Sequence, residues 1–166
     1  MVHSQIPLNL QYEGAVIDTY RVPGGKVSDF GSNHTWQDAL QEEYDIIILW
    51  VGSNDIEPGC STKIIFELIK QAYDSIVTYC KGTVYVCTIE PRANPRDLTA
   101  SEYKRIQNGV SRRIIKQFAP YVIHFCSSFY QAEMSSDGVH FTELGKGRVR
   151  EKFLSAIGYE IEESSE

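Results

Sequence analysis

Two runs of apolar, largely β-branched residues, "DIIILWV" at 45–51 and "TVYVCTI" at 83–89, constrain this chain more than anything else in it. A strand with one wet face alternates apolar and polar residues. A nearly continuous apolar run has to be covered on both faces, as strands inside a parallel sheet are. Between the two runs, "STKIIFELIKQAYDSIVTYC" (61–80) repeats Ile65, Leu68, Ile69, Ala72, Ile76 and Val77 at three- and four-residue steps behind a Ser-Thr start. That spacing predicts a helix with one buried face, and so a strand–helix–strand crossover.

The same pattern recurs on either side. "AVIDTYRV" (15–22) and "YVIHF" (121–125) predict further strands. "TASEYKRIQNGVSRRIIKQF" (99–118) opens with Thr99 and Glu102 at capping-box spacing, carries an inner stripe of Ile106, Val110, Ile114 and Phe118, and is followed by Pro120. A last helix begins after Thr142, with Leu144, Val149, Phe153, Leu154 and Ile157 on its apolar side and Gly145 and Gly147 weakening its first turns. The ending "EIEESSE" reads as a frayed acidic tail. Alternating strands and helices predict an α/β fold, a three-layer α/β/α sandwich with a mainly parallel sheet and right-handed crossovers. At 166 residues and 42% hydrophobic content, one domain over 1–158 with a tail at 159–166 is the expectation.

Composition narrows the function classes. A net charge of −6 disfavours a surface that tracks phosphates, so no direct nucleic-acid ligand is expected. Cys60, Cys80, Cys87 and Cys126 lie far apart without a CxxC pair or a histidine at ligand spacing, so no metal and no other cofactor is expected. Cys87 and Cys126, inside apolar runs, read as small buried hydrophobes. A reducing, intracellular and cytoplasmic setting fits best. No apolar stretch is long enough to cross a bilayer, and "MVHSQIPLNL" has no signal-peptide pattern, so neither a membrane nor targeting is expected. Nothing in the sequence argues for or against a homo-oligomer.

In a wound parallel sheet, ligands bind beyond the carboxyl ends of the strands. After the first expected strand comes "PGGKVSD" (23–29), a turn whose glycines can take positive φ and aim an N–H at something small and negative. After the second comes "VGSNDIEPG" (51–59), where Asn54 can direct its amide over the sheet edge and Asp55 can hold the loop by accepting from backbone N–H groups. An Asx turn without chemistry explains the same residues. "EPRANP" (90–95) is a rigid loop in which Arg92 reads as structural. The fourth strand leads into "SSDGVHFTELGKGRV" (135–149). There Asp137 can fix the tautomer of His140 and stabilise its imidazolium, and a solvated surface pair is the plainer reading. His3, His34 and His124 have no comparable neighbour.

In combination, "WVGSNDI" (50–56) resembles the third conserved block of the SGNH hydrolases, the GDSL esterase/lipase superfamily, and "SSDGVHFTELGKGRV" resembles their fifth. "VPGGKVSD" is similar to the second block, and "TIEPR" (88–92) to a strand end common in these enzymes. The resemblance spans roughly residues 15–157. It implies a flavodoxin-like sandwich and a serine ester hydrolase for a small acyl or acetyl ester. His140 would be the general base and Asp137 its orienting acid. Gly25, with Gly24 as the neighbouring candidate, and Asn54 would form the oxyanion hole, with Asp55 in support.

The first block departs from the family pattern. Its serine belongs to a G-D-S motif after a central strand, and this chain begins "MVHSQIPLNL". Either "HSQ" corresponds to that motif and Ser4 is the nucleophile, or the motif lay before Met1. Ser28, Ser32, Ser53 and Ser136 fit turns and helix starts better. Without the first strand, the family's strand order leaves unpaired edges in mid-sheet: either the N-terminal residues cover them, a partner strand does so, or the chain is a truncated gene product. The resemblance also allows a catalytically inactive SGNH-like domain, a binding or assembly module such as occurs in some retrotransposon proteins.

Overall fold

The computed structural model describes residues 10–20, 22, 24–95, 97–125 and 141–164. Their core is a three-stranded parallel sheet in the order β1 (Tyr44–Leu49), β2 (Cys80–Cys87), β3 (Val122–Ile123). Ile47 pairs with Val84, Ile48 with Tyr85 and Leu49 with Val86, while Val86 and Cys87 pair with Val122 and Ile123. The apolar runs are split between the two faces by the pleat. Ile47, Leu49, Val84 and Val86 face one core with helices α2 (Thr62–Val77) and α3 (Ala100–Phe118). Ile46, Ile48, Trp50, Tyr85 and Cys87 face a second core against α4 (Glu143–Ser164). This is the physical content of an unalternating strand: every residue has a packed layer to enter.

The helices follow their apolar stripes. Ile65, Ile69, Ala72 and Ile76 of α2, and Ile106, Val110, Ile114 and Phe118 of α3, are buried, whereas Val77 at the end of α2 is not. Ser61 caps α2 and Thr99 caps α3, each side-chain oxygen accepting a backbone N–H three residues on. Between Asn33, whose side chain accepts from Thr35 and Trp36, and Leu40 lies a short helix α1 (His34–Ala39).

Four expectations are corrected. The described residues of 15–22 form no strand: Val16 is 95% exposed, and their backbone bonds are those of turns, the Ala15 N–H to Tyr12 O and the Gly25 N–H to Val22 O. A β-rich segment needs a neighbouring edge to satisfy its backbone, and none among the described residues pairs with it. The "YVIHF" strand shrinks to Val122–Ile123. Leu144, placed on the apolar side of the last helix, is 60% exposed, while Val149, Phe153 and Ile157 are buried. The acidic tail is helical to Ser164, because Glu160 accepts from Thr83 Oγ1 at 2.9 Å and Tyr85 Oη at 2.6 Å and so ties the helix end to β2.

The outer edge of β1, opposite β2, makes no backbone hydrogen bond to any described residue. Tyr44 alone reaches across it, its hydroxyl 2.8 Å from that of Tyr20. Because 15–22 supplies no strand, β1 is the outermost strand of the described sheet and not one flank of a mid-sheet gap.

Candidate active site at the carboxyl end of the sheet

At the end of β1 the chain turns sharply at Gly52, whose φ is +112°. A side chain there would be strained by that backbone, and its Cβ would stand 2.6 Å from Ile89 Cδ1. Glycine thus allows Ser53–Asp55 to wind into a single 3-10 turn over the end of β2. Asp55 is buried and accepts from the backbone N–H of Val27 at 2.9 Å and, more loosely, of Ser28 at 3.5 Å. A carboxylate in one loop thus holds the start of the short 3-10 turn Val27–Asp29 in the other. An exposed ion pair, Lys26 Nζ to Glu57 Oε2 at 3.0 Å, spans the same two loops.

The glycine turn is closed by the Gly25 N–H donating to Val22 O at 2.9 Å, with Gly24 at φ +67°. Gly25 and Asn54 meet, through Asn54 Nδ2 donating to Gly25 O at 3.0 Å. The Gly25 N–H is thus already engaged, whereas the Gly24 N–H has no partner among the described residues. Asn54 Nδ2 retains a second hydrogen.

Arg92 enters from the end of β2. Its Nη2 donates to Asn54 Oδ1 at 2.8 Å and to Ser53 Oγ at 3.2 Å, and its guanidinium carbon lies 5.7 Å from the centre of the Tyr103 ring. The loop bearing it is fixed by α3. Tyr103 Oη donates to Glu90 O at 2.8 Å, Gln107 Nε2 to Ile89 O at 3.1 Å, and Ser111 Oγ accepts from Ile89 N at 3.1 Å. These three polar residues sit on the buried face of α3 between its apolar stripe, a role that apolar periodicity does not show. Where β2 runs out of strand partners, the helix supplies them.

On the opposite face, Trp50 donates from Nε1 to the buried Glu90 carboxylate at 2.9 Å. Its ring packs on Phe125, Phe153 and Phe141 at centroid distances of 5.0, 5.7 and 6.3 Å. Phe141 directly follows His140 in sequence and is buried at this same rim. Ser4, Asp137 and His140 themselves lie outside the described residues, as do Cys126 and Ser136. Among the cysteines that are described, Cys87 is fully packed, and its thiol is pushed well above its ordinary value by burial. No group of three or more potential metal ligands occurs among the described residues. A groove of about 790 Å³ between β3 and α4, lined by Tyr85, Tyr121, Lys152 and Tyr159 among others, shares no residue with the Gly25–Asn54–Arg92 cluster. No described helix is long and apolar enough to cross a membrane.

No protein-family model and no curated protein matches the sequence. Solved structures do match. An acetyl xylan esterase, AlAXEase, superposes with a TM-score of 0.59 at 16% identity, covering 82% of this chain and 78% of that one. The lipase/acylhydrolase from Enterococcus faecalis gives 0.62 at 15% identity over 81% and 71%. Axe2, an acetylxylan esterase from Geobacillus stearothermophilus, gives 0.59 at 18% identity over 82% and 69%. Parallel sheet, flanking helices and these neighbours together make the fold that of the SGNH hydrolases.

Proposed function

We propose that this chain is a serine ester hydrolase of SGNH type acting on a small acyl or acetyl ester. The observation that carries the reading is the joining of three loops at one rim: the Asn54 amide, in the loop after β1, is tied to Gly25 while Arg92, in the loop after β2, holds its other end. Phe141, the residue that follows His140 in sequence, packs on Trp50, two residues before Gly52, which supports the reading. In this reading Ser4 Oγ attacks the ester carbonyl as His140 takes its proton, and Asp137 holds the imidazole in the productive tautomer. The charge that develops on the carbonyl oxygen is met by the free hydrogen of Asn54 Nδ2 and by the Gly24 N–H. Loss of one such donor costs on the order of 3–4 kcal/mol in the barrier. The alcohol leaves with the proton from His140, and water repeats the sequence on the acyl-enzyme.

The test pairs a fluorophosphonate probe with p-nitrophenyl acetate. The expected result is a stoichiometric adduct on the peptide bearing Ser4 and turnover that disappears in His140→Ala. A folded sample that shows neither would exclude the hydrolase. The unpaired edge of β1 favours a second reading, an inactive SGNH-like domain that binds or assembles with a partner. That reading predicts a folded protein inert to the probe.

A further inference from the structure

We infer that Arg92 is a positioning residue for the oxyanion donor Asn54, an inference that rests on the hydrolase reading for its catalytic meaning but not for its geometry. A carboxamide can present either its oxygen or its NH2 to a neighbour, and thermal flipping would scramble an oxyanion hole. A guanidinium has donors only. With Arg92 Nη2 at 2.8 Å, the Asn54 oxygen must face the arginine and the NH2 must face Gly25. One NH2 hydrogen is then committed to Gly25 O, and the direction of the other follows from amide planarity.

The cation also polarises the amide. A hydrogen bond from a charged donor draws electron density to Oδ1 and makes the N–H groups at the far end stronger donors, in the direction that favours a developing oxyanion. Both hydrogen bonds of Arg92 go to the Ser53–Asn54 turn, while its Nε is buried without a partner. The side chain satisfies this turn in preference to itself. Its place over the Tyr103 ring, on a loop clamped by Tyr103 and Gln107, gives the guanidinium few alternative positions.

The experiment reads the Asn54 amide directly and activity separately. In a proton–nitrogen correlation spectrum, the Asn54 NH2 pair is identified by its disappearance in Asn54→Asp. In the wild type it should be shifted from free-amide positions and slow to exchange. In Arg92→Met it should move to free-amide positions and lose protection, and in Arg92→Lys, which keeps charge but not the fork, it should fall between. An Asn54 pair unchanged in either variant overturns the inference, and Arg92→Lys serves alone if Arg92→Met does not fold. On p-nitrophenyl acetate, Arg92→Met should lower kcat by about 10- to 100-fold with KM little changed, as expected for a misplaced catalytic group. Arg92→Lys should restore part of it, and combining Arg92→Met with Asn54→Ala should cost no more than Asn54→Ala alone. Additive losses would overturn the inference. A wild type without turnover would defeat the hydrolase reading, and the amide spectrum would still decide the role of Arg92.

Discussion

Asp55 is a buried carboxylate whose two backbone bonds do not fully offset its burial. Desolvation raises its pKa above the ordinary value, while the Val27 and Ser28 N–H groups and the Lys26 charge pull the other way. The folded state therefore holds this proton more tightly than the unfolded chain. Between the ordinary value, ~3.9, and the raised one, stability contributed by this group increases as pH falls and is least above that window. Asp55→Asn should flatten that part of the profile, so that its urea midpoint gains less on acidification than the wild type's. A wild type that loses more than Asp55→Asn would show that the N–H bonds outweigh burial. Asp55→Ala should cost about 1–3 kcal/mol at neutral pH, because the buried Val27 N–H is left without a partner. Chemical denaturation measures it.

At the scale of elements, α3 serves the site through both its start and its buried face. Thr99 Oγ1 accepts from the Glu102 N–H at 3.1 Å, which is the threonine half of a capping box. Thr99→Ala should destabilise by ~1 kcal/mol with little change in activity. Gly52 behaves differently, because it joins an element to the site. Gly52→Ala forces a side chain into a left-handed turn and against Ile89, for an expected loss of about 1–3 kcal/mol. Since the same turn places Asn54, activity should fall as well. Denaturant midpoints and p-nitrophenyl acetate turnover measured on both variants separate the two roles.

At the scale of the whole molecule, the described parallel sheet is open on the outer side of β1. β2 is paired on both sides, with the N–H groups of Val86 and of Thr88, the residue just after the strand, donating to Tyr121 O and Ile123 O. β1 is paired on one. In a parallel strand alternate residues turn their amides to opposite neighbours, so about half of the β1 amides have no strand acceptor. Amide hydrogen exchange resolved by residue should divide Tyr44–Leu49 into a fast and a slow class, while Val86 and Thr88 exchange only with global opening. Uniform protection across β1 would mean that another segment pairs with it.

The alternation of buried strands and one-faced helices was legible in the residues because it depends on local periodicity: "DIIILWV", "TVYVCTI" and the stripes of 61–80 and 99–118 each declare which sides are covered. The G-S-N-D loop was legible for a related reason, since a glycine at φ +112° and a carboxylate capping a neighbouring loop leave a chemical signature at fixed spacing. That the described residues of 15–22 form no strand was not legible, because a strand requires a partner edge that no local pattern specifies. Nor were the engagement of the Gly25 N–H with Val22 and the grip of Arg92 on Asn54. Those depend on where three loops come to rest relative to one another, and such distances are set by the packing of the sheet against α2, α3 and α4, not by any one segment's sequence.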